Sequence, residues 1–194
     1  MNCREEKWMD YSDLKMIQKR KKILRQREQL KGYEGEFETF LIEPCLEVCL
    51  PIKAVQVEGD FFKEKYPNVH ERTKVYEMPD SEADFLFQIS KDVYGSEKIE
   101  DIADSVKQMI MRLHPAYTFY GSHVEDTKNR KVGWFDFDSF GLDGMIYNFT
   151  FTTKAMGRLC MGSFHCERDK AVWWKPVFIK IIHSFREVEV QNEG

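Results

Sequence analysis

Hydrophobic and polar residues alternate along several stretches of the chain, and such alternation predicts β-strands that bury one face. Three strands are predicted in the first half of the sequence, at residues 40–50, 73–78 and 85–89, with a polar loop at 58–72. Pro44 lies inside the first stretch and Pro51 follows it. The two prolines favour a short edge strand or a bent strand over a helix.

A meander of four antiparallel strands is predicted in the second half, at residues 117–124, 131–138, 145–152 and 158–165. Charged or glycine-containing turns separate the four stretches, as expected for strands that are joined by hairpins. In the second stretch, Phe135 and Phe137 fall on one face. Trp134, Asp136 and Asp138 fall on the opposite face, and we expect only one of these faces to belong to the main core.

Helices are predicted where apolar residues recur every three or four positions. The clearest helix follows Ser96 as its N-cap and ends at the next His-Pro step. A closing helix at 172–188 carries an apolar stripe, and Pro176 is compatible with it only near the first turn. Residues 10–30 contain neither glycine nor proline and predict a basic helix near the N-terminus.

The order of these elements predicts an α+β fold, in which an antiparallel sheet is flanked by helices as an α/β/α sandwich. We expect a single sandwich domain over residues 36–190, preceded by a basic helical extension over residues 1–32. With 194 residues, of which 42% are hydrophobic, the chain is large enough to bury a core.

The charge of the chain divides between these two parts. Residues 1–31 carry ten lysines and arginines against five acidic residues, whereas the remainder carries 19 against 28. We therefore do not expect the acidic body to bind nucleic acid. The basic extension remains a candidate for nucleic-acid contact or for oligomerisation through residues 10–30.

Composition also restricts the cellular setting. The longest purely apolar stretches span only a few residues, so no transmembrane helix is expected. The charged N-terminus lacks the apolar segment of a signal peptide, and five cysteines without framework spacing favour reduced thiols. We expect a cytoplasmic protein without a membrane anchor or a bound cofactor.

The cysteines and histidines form no complete metal or nucleophile motif. Cys45 and Cys49 would lie about 13 Å apart on one strand, too far to share an ion. His165 and Cys166 are adjacent and point to opposite faces of a strand, and Cys160 adds too few ligands for zinc. We expect structural roles for these residues, and a pocket near His165 and Cys166 remains an alternative site.

Asp136 and Asp138 resemble the opening of a calcium-binding loop, but the fifth and twelfth positions of that loop lack oxygen ligands. We expect both carboxylates on a solvated strand face, where they contribute to an acidic patch. If no helix covers this face, Trp134 and Ile146 form an apolar patch of the kind that marks a binding surface. Core packing of Trp134 between two helical layers is the other possibility and the more common outcome for such a residue. The candidate partner-binding residues are Trp134, Asp136, Asp138 and Ile146.

Several features of residues 36–190 occur together in one known family. An early strand ends at Leu50-Pro51, a long helix lies in the middle, an antiparallel meander follows, and a Trp-Trp-Lys-Pro run at 173–176 introduces the last helix. These features resemble the PsbP-like α/β/α sandwich of the photosystem extrinsic protein and of the Ran-binding nuclear-import factor. The run at 161–166 is similar to small uncharacterised bacterial proteins of this type. The resemblance implies a binding or accessory module and provides no catalytic residue to transfer.

Three functional hypotheses follow from these observations. The first is a non-enzymatic binding or accessory protein that presents a sheet face or a helix–sheet groove to a protein partner. The second is a small-ligand-binding protein or an enzyme with a pocket near His165 and Cys166. The third assigns oligomerisation or nucleic-acid contact to the basic extension.

Deletion of residues 1–31 tests the third hypothesis. If the extension mediates oligomerisation, its removal lowers the mass measured by light scattering to that of one chain. If it contacts nucleic acid, DNA shifts the full-length chain in a gel and does not shift the truncated chain. This hypothesis would be overturned if the full-length and truncated chains had the same oligomeric state and DNA shifted neither of them in the gel.

Overall fold

The computed structural model describes residues 37–67, 69–70, 72–79, 82–128 and 130–188. The basic helix predicted at residues 10–30 lies outside them. The described part of the chain forms ten strands and three α-helices, divided between a small sheet and a large sheet. None of its helices is both long enough and apolar enough to cross a membrane.

The small sheet contains three strands, with β2 at its centre. Its members are β1 (Phe37–Ile42), β2 (Leu46–Pro51) and β10 (Arg186–Glu187), and both outer strands pair with β2 antiparallel. The prediction of one bent strand at 40–50 is therefore wrong, because this region is a hairpin. Pro44 lies in the turn, where its missing N–H interrupts no strand pairing.

The large sheet contains seven antiparallel strands in the order β3-β4-β5-β9-β8-β7-β6. Their bounds are β3 Val55–Val57, β4 Lys74–Glu77, β5 Asp84–Val93, β6 Thr118–Asp126, β7 Lys131–Phe140, β8 Met145–Ala155 and β9 Arg158–Glu167. Strands β6 to β9 form the predicted meander. The pairing of β9 with β5 joins the meander to the first half of the domain.

Three helices accompany the sheets. The first, α1 (Gly59–Lys65), lies where the sequence predicted only a loop. The second, α2 (Ile99–Leu113), begins three residues after Ser96, so the predicted cap at that serine is wrong. The third, α3 (Ala171–His183), contains Pro176 as its sixth residue, further from the start than predicted.

Helix α3 tolerates this proline because only one helical hydrogen bond is missing. The acceptor that would have received it is the carbonyl of Val172, four residues earlier. Val172 is an exposed residue at the start of the helix, so its surroundings are open to water. A short 3₁₀ turn at Arg168–Lys170 leads from β9 into α3.

The core lies between α3 and the large sheet. The Phe178 ring on α3 lies 5.3 Å from that of Phe164, 5.9 Å from that of Phe149 and 6.1 Å from that of Phe85. These three partners come from β9, β8 and β5, so a single side chain contacts three strands. Aromatic pairs at such separations add stability beyond the apolar area that they bury.

Helix α2 covers the opposite face of the sheet at β7. A Cβ atom placed on Gly133 would meet Ala103 of α2 at 2.8 Å, which shows how closely the helix approaches the strand. All eight residues of β7 between its two ends are buried. Both faces of this strand therefore belong to the core, and the expectation that only one does is wrong.

Gly162 permits the close pairing of β9 with its neighbours, and a larger residue at this position is expected to destabilise the fold. A Cβ atom there would lie 2.0 Å from the carbonyl oxygen of Leu86 and 2.7 Å from the Phe151 ring. We expect Gly162→Ala to lower the free energy of unfolding by at least about 2 kcal/mol, measured by urea denaturation.

Gly95→Ala is the matched control for this substitution. Its Cβ would meet only the Glu97 carboxylate, at an ordinary contact distance of 3.5 Å. The control is expected to change the free energy of unfolding by less than about 1 kcal/mol. Equal effects of the two substitutions would show that the close approach at Gly162 is not a constraint on the fold.

Candidate functional site

Asp136 and Asp138 lie on the face of β7 that α3 covers, and they are almost fully buried. Their exposed fractions are 1% and 3%, so the prediction of two solvated carboxylates is wrong. The sequence places them on the same strand face as Trp134, and the structure confirms that alternation. What the sequence could not show is that the first turns of α3 pass over this part of the sheet.

Asp136 is bound by a phenol and a cation. Its Oδ2 atom accepts hydrogen bonds from the Tyr147 hydroxyl at 2.7 Å and from the Lys175 ammonium at 2.6 Å. Tyr147 belongs to the neighbouring strand β8, whereas Lys175 belongs to α3. The Lys175 ammonium also lies 5.2 Å from the centre of the Trp134 ring. A buried carboxylate requires such charge-assisted partners.

Asp138 repeats this arrangement one step further along the strand. Its Oδ2 atom accepts hydrogen bonds from Arg168 Nε at 2.5 Å and from the Tyr120 hydroxyl. Arg168 Nη2 donates in turn to the Tyr120 hydroxyl at 3.3 Å, and its guanidinium lies 5.6 Å from the Tyr120 ring centre. Each aspartate is therefore held by one tyrosine and one cation.

The second oxygen of each carboxylate has no such partner. Asp136 Oδ1 and Asp138 Oδ1 are buried and accept no hydrogen bond from the part of the chain that the structure describes. A buried oxygen of this kind is costly to the folded protein.

These side chains border a cleft of about 660 Å³ between α3 and strands β6 to β8. Its polar lining residues are Tyr120, Asp136, Tyr147, Arg168 and Lys175, and its apolar lining residues are Ala171, Val172, Pro176 and Ile179. The volume falls within the range of small-molecule sites. The charged lining residues are Asp136, Arg168 and Lys175. Asp138 is bound to Arg168, so the charges of the cleft form two ion pairs.

Both phenols of the cleft are held in their neutral form. Burial and then the hydrogen bond to Asp136 raise the pKa of Tyr147 far above its usual value. The hydrogen bond to Asp138 and then burial raise the pKa of Tyr120. Burial opposes the charge of Arg168, but its bonds to Tyr120 and Asp138 raise its pKa overall. Tyr120, Tyr147 and Arg168 therefore remain protonated hydrogen-bond donors near neutral pH.

Trp134 is also buried, with an exposed fraction of 4%. Its ring lies between His123, at 4.1 Å, and Phe149, at 4.6 Å, and its Nε1 donates to Glu125 at 2.8 Å. Glu125 also contacts His183 of α3. The alternative of core packing for Trp134 is thus the one that the structure contains.

Ile146 does not join Trp134 in a patch, because the two residues lie on opposite faces of the sheet. Trp134 is directly opposite Phe151, whereas Ile146 is directly opposite Ser139. Residues that are opposite in an antiparallel pair share a face, so Ile146 shares the face of α2. The prediction of a shared patch is wrong because the register of β7 and β8 was unknown.

The exposed apolar residues on the α3 face are different ones. Phe140 and Met145 are directly opposite each other and follow Asp138 and Tyr147 on the same face. They are 63% and 42% exposed. The sequence contains a signal for this pair, because Phe140 is the next residue of the face after Asp138.

The alternative site at His165 and Cys166 consists of residues on opposite faces of β9. Burial raises the pKa of the Cys166 thiol well above its usual range and lowers the pKa of His165 to about 4. A neutral thiol and a neutral imidazole that face apart do not form a nucleophilic pair. The residues that the structure describes contain no group of three or more potential metal ligands.

A further titratable cluster, which the sequence did not indicate, lies around Asp84 on β5. The hydroxyl of Tyr66 donates to Glu77 at 2.5 Å, and Lys65 forms an ion pair with Glu77 at 2.7 Å. Burial raises the pKa of Asp84 to about 6, although Lys65 and a hydrogen bond from Tyr66 oppose the rise. Burial and then the bond to Glu77 raise the pKa of Tyr66 as well.

The comparisons with known proteins bear on the fold. No family model matches the chain, and no curated protein matches it. The solution structure of PsbP from the cyanobacterium Synechocystis is similar over 79% of this chain and 93% of its own length, with a TM-score of 0.60 and 12% sequence identity. A Pseudomonas aeruginosa protein of unknown function, described as a putative regulator, covers 77% of this chain and 95% of its own, with a TM-score of 0.45 and 8% identity. The chain has the PsbP-like fold that its sequence predicted, and at 12% identity the likeness concerns the fold alone.

The raised pKa of Asp84 predicts a pH dependence of stability. Because the folded protein holds this proton more tightly than the unfolded chain, whose pKa is near 3.8, the stabilisation is complete below pH 3.8. It is lost as the pH rises through about 6. We expect Asp84→Asn to remove this loss of about 1–3 kcal/mol and to flatten the stability curve between these two values, as measured by urea denaturation.

The exposed turn residue Asp143 provides the control for this experiment. Asp143→Asn removes the same kind of charge at a position where the side chain is exposed. If Asp84→Asn and Asp143→Asn give the same pH dependence, then Asp84 does not titrate differently in the folded and unfolded states.

Proposed function

We propose that this protein is a non-enzymatic binding or accessory protein that engages a protein partner at the α3 cleft. The proposed docking face, which we call the rim, comprises the cleft-lining residues Tyr120, Arg168 and Val172 and the exposed pair Phe140 and Met145 at the adjoining ends of β7 and β8. The partner is expected to cover the apolar part of the rim and to form hydrogen bonds with Tyr120 and Arg168.

The exposure of the apolar rim is the observation that carries this proposal. Phe140 and Met145 form one directly opposed pair, and Val172 is 59% exposed at the edge of the cleft. Leu142, in the turn that joins β7 to β8, is completely exposed. Large apolar side chains grouped at one end of two strands are typical of an interaction site.

The polar groups of the rim favour binding of a specific partner over nonspecific hydrophobic association. Tyrosine, methionine and arginine are enriched at protein interfaces, and Tyr120, Met145 and Arg168 lie on this rim. The accessible polar groups of the rim are the Tyr120 phenol and the Arg168 guanidinium, and they favour a partner that accepts hydrogen bonds, because Tyr120 is 40% exposed and the Arg168 side chain is 44% exposed. A partner segment with apolar residues around one carboxylate or carbonyl acceptor has this chemistry.

The titration properties of the site support binding over catalysis. Its phenols stay protonated, and its carboxylates form ion pairs with Arg168 and Lys175, so the cluster is suited to recognition. We place the function in the bacterial cytoplasm, because Cys45, Cys49, Cys160 and Cys166 are free thiols that suit a reducing compartment.

A pull-down with a matched set of variants tests this proposal. The rim variant is Phe140→Ser/Met145→Ser, and the control is Val93→Ser, which removes a 72% exposed residue at the end of β5. We expect the rim variant to recover at least about tenfold less of the captured partner than the control, because exposed aromatic anchors dominate interface energies.

A floor variant, Tyr147→Phe, separates protein recognition from small-molecule binding. Equal recovery by the rim variant and the control would overturn the proposed docking face. If only the floor variant loses binding, and the lost component is a small molecule found by mass spectrometry, the cleft is a ligand site. In that case the second functional hypothesis replaces the first at this location.

A further inference from the structure

A second cavity, of about 500 Å³, lies near the small sheet and away from the α3 cleft. Its walls come from the turn between β1 and β2, from the segment that begins α1, and from strands β4 and β5. It shares none of its lining residues with the α3 cleft. The two cavities are therefore independent sites.

The floor of this second cavity is apolar. Ile42 and Phe87 lie beneath it with exposed fractions of 0% and 1%, and the accessible apolar lining comes from Pro44, Val57, Phe62 and Ile89. Because such surfaces bind the apolar part of a ligand by excluding water, the floor fits a hydrocarbon or aromatic group.

The rim of the cavity is basic. Arg72, Lys74, Lys91 and Arg158 line it, whereas the acidic lining residues are Glu43 and Glu58. Lys74 lies directly opposite Phe87 in the pairing of β4 with β5, so the positive rim adjoins the apolar floor. This excess of cations stands out in a chain whose formal net charge is −4.

An irregularity in β5 accounts for the position of Lys91. The pairing of β5 with β9 shifts register between Ile89 and Val93, and Arg158 Nη1 donates to the carbonyl oxygens of Ser90, at 3.3 Å, and Lys91. Arg158 thus fixes the backbone of this segment, which leaves the Lys91 side chain at the cavity. Strand irregularities of this kind commonly redirect side chains at binding sites.

Three of these cations have no ion-pair partner in the part of the chain that the structure describes. Among the described residues, Arg72, Lys74 and Lys91 take part in no ion pair. Of the two acidic lining residues, Glu58 accepts a hydrogen bond from the Gln56 side chain at 2.5 Å. An anion that entered the cavity would therefore meet uncompensated positive charge.

We propose that this cavity binds a small amphipathic organic anion, whose apolar body lies on the half-buried Phe62 and Ile89 and whose phosphate, sulfonate or carboxylate head contacts Lys74 and Lys91. Each lysine then contributes a charge-assisted hydrogen bond at a partly solvated rim. The apolar floor distinguishes such ligands from inorganic anions, and the lysines distinguish them from neutral amphiphiles.

Fluorescence titration with anilinonaphthalene sulfonate, an aromatic anion, tests this inference. The titrations use Phe140→Ser/Met145→Ser as the parent chain, so that the exposed rim of the α3 cleft does not take up the probe. We expect saturable binding that weakens with added salt. Octyl phosphate should displace the probe at lower concentrations than either octanol or inorganic phosphate.

Charge substitutions then locate the site. We expect Lys74→Gln and Lys91→Gln each to weaken probe binding about three- to tenfold. Lys128→Gln, at an exposed turn, is the control and should leave binding unchanged. Glu43→Gln should strengthen binding about two- to threefold, an effect that damage to the fold does not produce.

Three results would each overturn the inference. The first is that octanol displaces the probe as effectively as octyl phosphate does. The second is that the Lys74, Lys91 and Lys128 variants bind the probe with equal affinity. The third is that the probe shows no saturable binding. None of these results tests the proposed binding of a protein partner, because the parent chain in these titrations already lacks the apolar side chains Phe140 and Met145 of the docking face.

Discussion

The packing of α3 across one face of the large sheet is the interaction on which both the core and the candidate site depend. The second half of the helix contributes Phe178, whose ring meets aromatic residues of three strands. The first half contributes Lys175, which holds Asp136 in the same layer. Next to Lys175, the buried Trp174 packs against Phe85 with its ring centre 6.0 Å away, so one helix provides apolar and polar contacts to the same sheet. The same docking that builds the core also takes the aspartates out of water.

The burial of these aspartates explains why the cleft is built from pairs. A lone carboxylate would lose its hydration on burial, and this loss is far larger than one neutral hydrogen bond returns. A cation and a phenol on each Oδ2 offset it, and each Oδ1 receives no hydrogen bond from the described residues. Tyr120 and Arg168 also contact each other, so the partners of Asp138 are themselves held in position. The result is a cleft floor whose polar groups bind one another, next to exposed apolar residues that a partner can cover.

The sequence predicted most of the sheet and little of the site. Alternation placed Phe135 and Trp134 on opposite faces correctly, because the period of a strand is two regardless of its neighbours. Alternation could not predict that Trp134 faces Phe151 rather than Ile146, because register depends on the turn between strands. It also could not predict that α3 covers Asp136. Alternating patterns report which residues share a face, and burial depends on what packs against that face.

The small sheet gives the domain an unusual order of assembly. Its central strand, β2, is made early in the chain, yet one of its neighbours is Arg186–Glu187, about 140 residues later. A ribosome that adds residues one after another therefore releases β2 long before that neighbour exists. During this interval one edge of the β1–β2 hairpin offers unpaired backbone groups to any other extended chain. The last strand of the domain is thus also the element that closes an aggregation-prone edge.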